Sequence, residues 1–200
     1  MVYTQKPREI LSFIEKYGFI TSNIASRVFF KEQNNSYVSA CRKLRTMCRS
    51  GVLIRYMDNG EYIYQQREKR ITPHRKLLLD FYSRLYEKTN VLYFNVEERW
   101  DKANKRNDGH MIYEKDGAMY GILIEVDYSH YTNKDKLDSI YYSGEVQEWY
   151  KDRYCEEYFP TIVIISLLGD TDYGQTEYDY TSLDFSFKDI YDKMGLKNFN

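Results

Sequence analysis

Cysteine and tryptophan are scarce in this chain: three Cys and two Trp in 200 residues. Cys41, Cys48 and Cys155 fit neither a disulfide framework nor a metal-ligand spacing, which excludes a stapled secreted scaffold and a structural zinc module. Cys41 and Cys48 stand seven apart within a helical pattern, so they share a face and read as small core residues. Long apolar runs are also missing. The longest, around Ile162–Ile165, falls far short of the ~20 residues a membrane-spanning helix needs. No signal peptide or lipidation site is recognisable. The expectation is a soluble, reduced, cytoplasmic protein without a membrane partner. A disordered chain is excluded by a hydrophobic content of 42% and an aromatic content of 17%.

What is present is tyrosine, 22 of them, which supplies apolar area with a polar tip and suits half-buried sheet and helix faces. Charge is present too, and unevenly placed. Residues 1–75 hold 14 Lys and Arg against 6 Asp and Glu, while residues 76–200 hold 15 against 24. A formal net charge of −1 therefore conceals a block at +8 joined to a block at −9. Such a split favours two domains, the basic one carrying a surface for a polyanion.

In the basic block, Pro7 suits the first turn of a helix carrying Ile10, Leu11, Ile14 and Tyr17, with Gly18 as its stop. Thr21 or Ser22 caps a second helix with Ile24, Ala25, Val28 and Phe29 as its stripe. Ser36 is the expected N-cap of a third helix running to Arg49 and closed by Gly51. Its expected apolar face is Val38, Cys41, Leu44, Met47 and Cys48. Between Ser36 and Met57 there are five basic residues (Arg42, Lys43, Arg45, Arg49 and Arg55) and no acidic one. A solvated helix face ordinarily mixes both signs, so this one-signed stretch points to DNA. Two strand-like runs, Val52–Tyr56 and Tyr62–Gln65, flank Asp58-Asn59-Gly60, and Asn-Gly is a tight-hairpin signal.

Three helices and a hairpin make the layout of a winged helix-turn-helix, in which the third helix enters the major groove and the hairpin follows the phosphates. Arg42, Lys43, Arg45, Tyr37 and Ser39 are then the candidates for base edges, and Arg49, Arg55 and Asn59 for phosphate. Ser36, Thr46 and Arg67 complete the candidate DNA-binding set. A winged helix used for protein contact is the competing reading.

In the acidic block, Leu77, Leu78, Phe81, Leu85 and Tyr86 space a helix over 74–88. Strands are expected at 91–96, 108–114 and 118–128, a long helix at 134–154 and a buried strand at 161–167. A short final helix is expected near 187–194. The order α-β-β-β-α-β makes an α/β sandwich. With an acid before one strand and Glu-x-Asp ending the next, it resembles the PD-(D/E)xK nuclease core.

Asp108, in Arg106-Asn107-Asp108-Gly109, stands for the first acid, and Glu125-Val126-Asp127 occupies the (D/E)xK position. Strand alternation puts Glu125 and Asp127 on one face. Asp127 stands where the lysine belongs, and Asn107 where the proline belongs. Lys134 or Lys136 on the following helix is the candidate substitute. In active members of that core two acids hold Mg²⁺ and the lysine serves the attacking water. The resemblance thus implies metal ligands Asp108, Glu125 and Asp127, and a catalytic set of these with Lys136, only if the site is active. The missing lysine favours altered or lost chemistry and no cofactor.

A winged helix followed by this core resembles the replication-relaxation family of plasmids and integrative elements. The matching stretches are Asn107-Asp108-Gly109, Ile124-Glu125-Val126-Asp127, and Lys136-Leu137 with Tyr141, within residues 5–167. The resemblance implies a sequence-specific double-stranded DNA-binding accessory or initiator protein acting at an origin of replication or conjugative transfer. It is expected as a homodimer, with a relaxase or replication protein as a further partner. The expected architecture is α+β, with a winged helix-turn-helix over 1–70 and a catalytically degenerate PD-(D/E)xK-like domain over 71–200. The alternatives are a Mg²⁺-dependent endonuclease and a winged-helix transcriptional regulator.

Overall fold

A helix begins the described chain because Ile10, Phe13, Ile14 and Tyr17 recur at three- and four-residue spacing and bury one stripe of α1 (Gln5–Tyr17). The computed structural model describes residues 5–167 and 169–196. Gly18 ends α1 at φ +93°, a backbone conformation few other residues adopt, with its N–H donating to the Ile14 carbonyl at 2.7 Å. Strand β1 (Ile20–Thr21) follows. Thr21 caps α2 (Ser22–Phe29), its Oγ1 accepting from the Ile24 N–H at 3.2 Å.

Helix α3 spans Ser36–Arg49, and its N-cap position is Asn35 rather than the expected Ser36, with no side-chain capping bond. Strands β2 (Ile54–Asp58) and β3 (Glu61–Gln65) pair antiparallel, and β1 adds to β3 in the order β1-β3-β2. The connecting Asn59 and Gly60 both take positive φ, 49° and 82°, as a tight two-residue hairpin turn requires. The sequence anticipated this hairpin but not β1, whose two residues are too few to show a period.

Contacts divide the chain into two units, Met1–Glu87 and Lys88–Asn200. Helix α4 (Pro73–Lys88) therefore belongs almost entirely with the first unit, rather than opening the second as a boundary at residue 70 would have it. Side chains explain the difference. Arg27 meets Asp80 at 2.5 Å and Ser83 at 3.0 Å, and Lys76 meets Asp58 at 2.6 Å. Tyr82 packs on Phe13 and Tyr17, with ring centroids 6.1 and 6.0 Å apart.

The second unit is built on a five-stranded mixed sheet. It comprises β4 (Asn90–Val96), β7 (Gly109–Lys115), β8 (Ala118–Asp127), β9 (Thr161–Ser166) and β10 (Tyr180–Asp184), in the order β10-β9-β8-β7-β4. Between β4 and β7 lies a small hairpin, β5 (Arg99–Trp100) and β6 (Lys105–Arg106). β4, β7 and β8 run antiparallel, and β8, β9 and β10 run parallel.

The long helix expected over 134–154 is two helices, α5 (Lys134–Tyr142) and α6 (Glu145–Tyr154). Gly144, at φ 68°, breaks it, and apolar spacing alone does not register that turn. Helix α7 (Ile190–Lys193) is shorter than expected, and β5, β6 and β10 were not anticipated. The core joins Trp100, Ile112, Leu123, Leu137, Ile140, Val146, Tyr150, Ile162, Ile164 and Tyr178. Each such burial contributes about 1.5–3 kcal/mol before entropy is charged against it. The fold is thus mixed α+β. Among the described residues no helix is long and apolar enough to cross a membrane.

Candidate functional site

Helix α3 buries Ala40, Leu44 and Met47. At 100° per residue, the side opposite that stripe carries Val38, Arg42, Arg45 and Arg49, within roughly 60° of one another. All four are exposed, Val38 at 52%. With Tyr37, Cys41 and Thr46 they line a shallow depression of about 420 Å³.

This corrects the expected apolar face. Val38 points outward, and Cys41 and Cys48 are only half-buried, so neither cysteine is a core residue. Ala40 takes the core position instead. An alanine reads as neutral to a hydrophobic-periodicity argument, so the stripe was placed on the wrong side of Leu44 and Met47.

The candidate DNA-binding residues fall into four groups. Tyr37, Arg42, Arg45, Thr46 and Arg49 share the depression, and Thr46 donates its hydroxyl to the Arg42 carbonyl at 2.9 Å. Ser36, Ser39 and Lys43 are half-buried on the flank nearer the core, so Ser39 is less exposed than expected. On the hairpin, Arg55 is exposed with its guanidinium 4.5 Å from the Tyr62 ring centroid, which fixes its direction. Asn59 sits in the turn itself. Arg67 lies beyond β3 in a cleft of about 370 Å³ with Ile14, Glu15, Gly18, Gln66 and Lys69, beside the end of α1.

In the second unit the carboxylates gather where the start of β7 lies beside the end of β8, away from the turn that joins the two strands. Glu125 is 1% exposed. Its Oε1 accepts from Asn107 Nδ2 at 2.6 Å, and its Oε2 meets Lys136 Nζ at 2.7 Å. Asn107 in turn accepts from Trp100 Nε1 at 2.5 Å. Burial pushes the Glu125 carboxyl up to about 8, against the opposing pull of the Lys136 ammonium, with the Asp108 charge pushing the same way as burial.

Lys136 therefore does reach from α5 to the second acid. Lys134 turns away and pairs with Asp138 at 2.7 Å, one helical turn on. Asp108 precedes β7, and its Oδ2 accepts from the Val126 N–H at 2.7 Å. Asp127 Oδ1 accepts from the Thr132 N–H at 2.9 Å and the Thr132 hydroxyl at 2.6 Å. Its buried Oδ2 finds no hydrogen-bond partner among the described residues. Tyr173 closes over the same loop, donating to the Thr132 carbonyl at 2.9 Å.

Asp108, Glu125 and Asp127 are thus near one another in the fold, but each is directed at a different group. Among the described residues no group of three or more His, Cys, Asp or Glu side chains is arranged to hold a metal ion. Each oxygen of Glu125 accepts one hydrogen bond, so this second acid is held by Asn107 and Lys136, whereas Asp127 keeps one oxygen without a hydrogen-bond partner among the described residues.

Sequence reasoning missed Trp100, Thr132 and Tyr173. It treated Asn107 as a departure from a motif, although Asn107 is the fully buried link between Trp100 and Glu125. It also missed His110, fully buried, whose Nε2 lies 2.8 Å from the Tyr150 hydroxyl. Burial, assisted by the Arg153 charge, pushes His110 down to about 3, so it is neutral. A lone His heading the continuous apolar run Met111-Ile112-Tyr113 was the available signal. Comparison of the chain with models of protein families, with curated proteins and with solved structures gives no match.

Proposed function

We propose that this chain binds double-stranded DNA through the outward face of α3, with the hairpin β2–β3 against the phosphates. The observation that carries the reading is the column Val38, Arg42, Arg45 and Arg49, which contains no acid and faces away from the core. The element order α1-β1-α2-α3-β2-β3, with β1 paired to β3, supports a winged helix-turn-helix. On that reading the chain acts at an origin as an accessory or initiator protein of a mobile element, in the manner of the replication-relaxation family it resembles. The acidic unit then serves self-association as a homodimer or recruitment of a relaxase or replication protein, since its charge opposes DNA.

The test is a mobility-shift assay on duplex selected from a random pool. Arg42→Glu with Arg45→Glu abolishes the shift. Lys43→Glu, on the half-buried flank, costs markedly less. Equal affinity of the double variant and wild type sinks the proposal.

A Mg²⁺-dependent endonuclease is the second reading, favoured by the 2.7 Å approach of Lys136 to Glu125. Asp127 in the place of the motif's lysine speaks against it. Plasmid incubated with Mg²⁺ or Mn²⁺ decides it: nicking by wild type that Asp108→Ala removes supports the enzyme, and no nicking by wild type removes it.

A further inference from the structure

Among the described residues of the first unit, the large apolar side chains left exposed are Tyr37, Val38, Ile54 and Met57, and all four lie on α3 or β2. Single exposed apolar residues are ordinary, but Tyr37 and Val38 share one depression with Arg42, Arg45 and Arg49, which marks a contact surface. Val38 is the most informative. It is β-branched, which a helix mildly disfavours, and it contributes nothing to the core. Its flank carries three arginines, so the patch does not suit an apolar protein partner, which would have to desolvate those charges.

The position also matters. Val38 is in the first turn of α3, and base contacts of a recognition helix come from its N-terminal part. Arg42 follows one helical turn later, about 6 Å along the axis, which is less than two base-pair steps. Tyr37, next to Val38, lines the same depression and ends in a polar hydroxyl, so Val38 is the aliphatic group at the tip of the face.

We infer that Val38 is a specificity-determining residue that contacts the C5 methyl of a thymine, while Arg42 takes a guanine within about two base pairs of it. The major groove displays that methyl on thymine alone of the four bases, and an aliphatic side chain is its natural partner. The bidentate guanidinium–guanine pair is the matching contact for Arg42. This rests on the DNA-binding reading above and narrows it to a class of site, a thymine with a nearby guanine in each half-site.

The experiment uses the full chain and duplex selected from a random pool. The consensus is expected to hold a fixed thymine with a guanine within two pairs. Replacing that thymine by deoxyuridine removes only the methyl and should weaken wild type about three- to fivefold, the worth of one apolar carbon. Val38→Ala, which withdraws both γ-methyls, should bind the thymine and deoxyuridine duplexes equally, and Val38→Thr, which keeps one γ-methyl, should retain part of the preference. Circular dichroism confirms that both variants fold. If Val38→Ala keeps the wild-type preference, or the consensus contains no thymine, the inference is overturned while DNA binding stands. If no duplex is enriched by wild type, the DNA reading falls and this inference falls with it.

Discussion

Two buried groups in the second unit titrate in opposite senses, and their side chains make that testable. Glu125 is raised by burial to about 8 from the ordinary 4.5, so the folded state holds its proton more tightly than the unfolded chain. Its contribution to stability is complete below about 4.5 and is lost as pH rises to about 8. His110 is lowered by burial to about 3 from 6.5, so its contribution is complete above about 6.5 and is lost as pH falls towards 3. The two slopes, each about 1.4 kcal/mol per pH unit at most, oppose one another between about 4.5 and 6.5. Urea midpoints of the wild type should therefore be flat across that interval and fall on either side. Glu125→Gln should abolish the fall between 6.5 and 8 and leave stability rising with pH from 4.5 to 6.5. A basic limb unchanged in Glu125→Gln would show that another group governs it.

At the scale of elements, a single glycine sets how α6 lies on the sheet. A Cβ on Gly121 of β8 would stand 2.8 Å from Tyr150 Cζ and nearer still to its hydroxyl, the group that holds His110. The ring is buried and cannot swing aside, so Gly121→Ala should destabilise the second unit by about 1–3 kcal/mol. Thermal unfolding would check this, with Gly117→Ala as the turn comparison, where φ is 78° but no atom lies within 4 Å. Helices α1, α2 and α3, the Asn59-Gly60 turn and strands β4, β8 and β9 were legible in the sequence because each has a period or a backbone signal of its own. β1, β5 and β6 were not, since a two-residue strand exists only through its partner. The division of 134–154 at Gly144 was hidden because Leu137, Ile140, Val146 and Tyr150 continue to bury across the break. The site was legible in its charges and illegible in its directions. Arg42, Arg45 and Arg49 could be named in advance, but Val38 could be assigned outward only once Ala40 was seen to occupy the core.

For the whole molecule, the charge division survives relocation of the boundary. Residues 1–87 hold 16 Lys and Arg against 8 Asp and Glu, and residues 88–200 hold 13 against 22, so the two units again carry +8 and −9. The extra residues of α4 cancel: Lys76 and Arg84 balance Asp80 and Glu87, and two of these ion pairs, Lys76–Asp58 and Arg84–Asp80, lie inside the first unit. A unit of this length is within the range that folds unaided, and α4 supplies the Tyr82 packing that a fragment ending at residue 70 would lack. If the first unit carries the DNA contacts, residues 1–87 alone should bind the selected duplex with the salt dependence of the full chain, log affinity falling by about 0.9 per phosphate neutralised for each unit of log salt. Removing a −9 body should leave affinity unchanged or raised at low salt, and the difference should shrink as salt screens it. On the same reading, Arg49→Ala, at the end of α3, should reduce the slope by about 0.9 without changing base preference, while Arg42→Ala should relax the preference for guanine. A fragment 1–87 that folds, as judged by a cooperative thermal transition, yet shows a shallower salt slope than the full chain would assign phosphate contacts to the second unit.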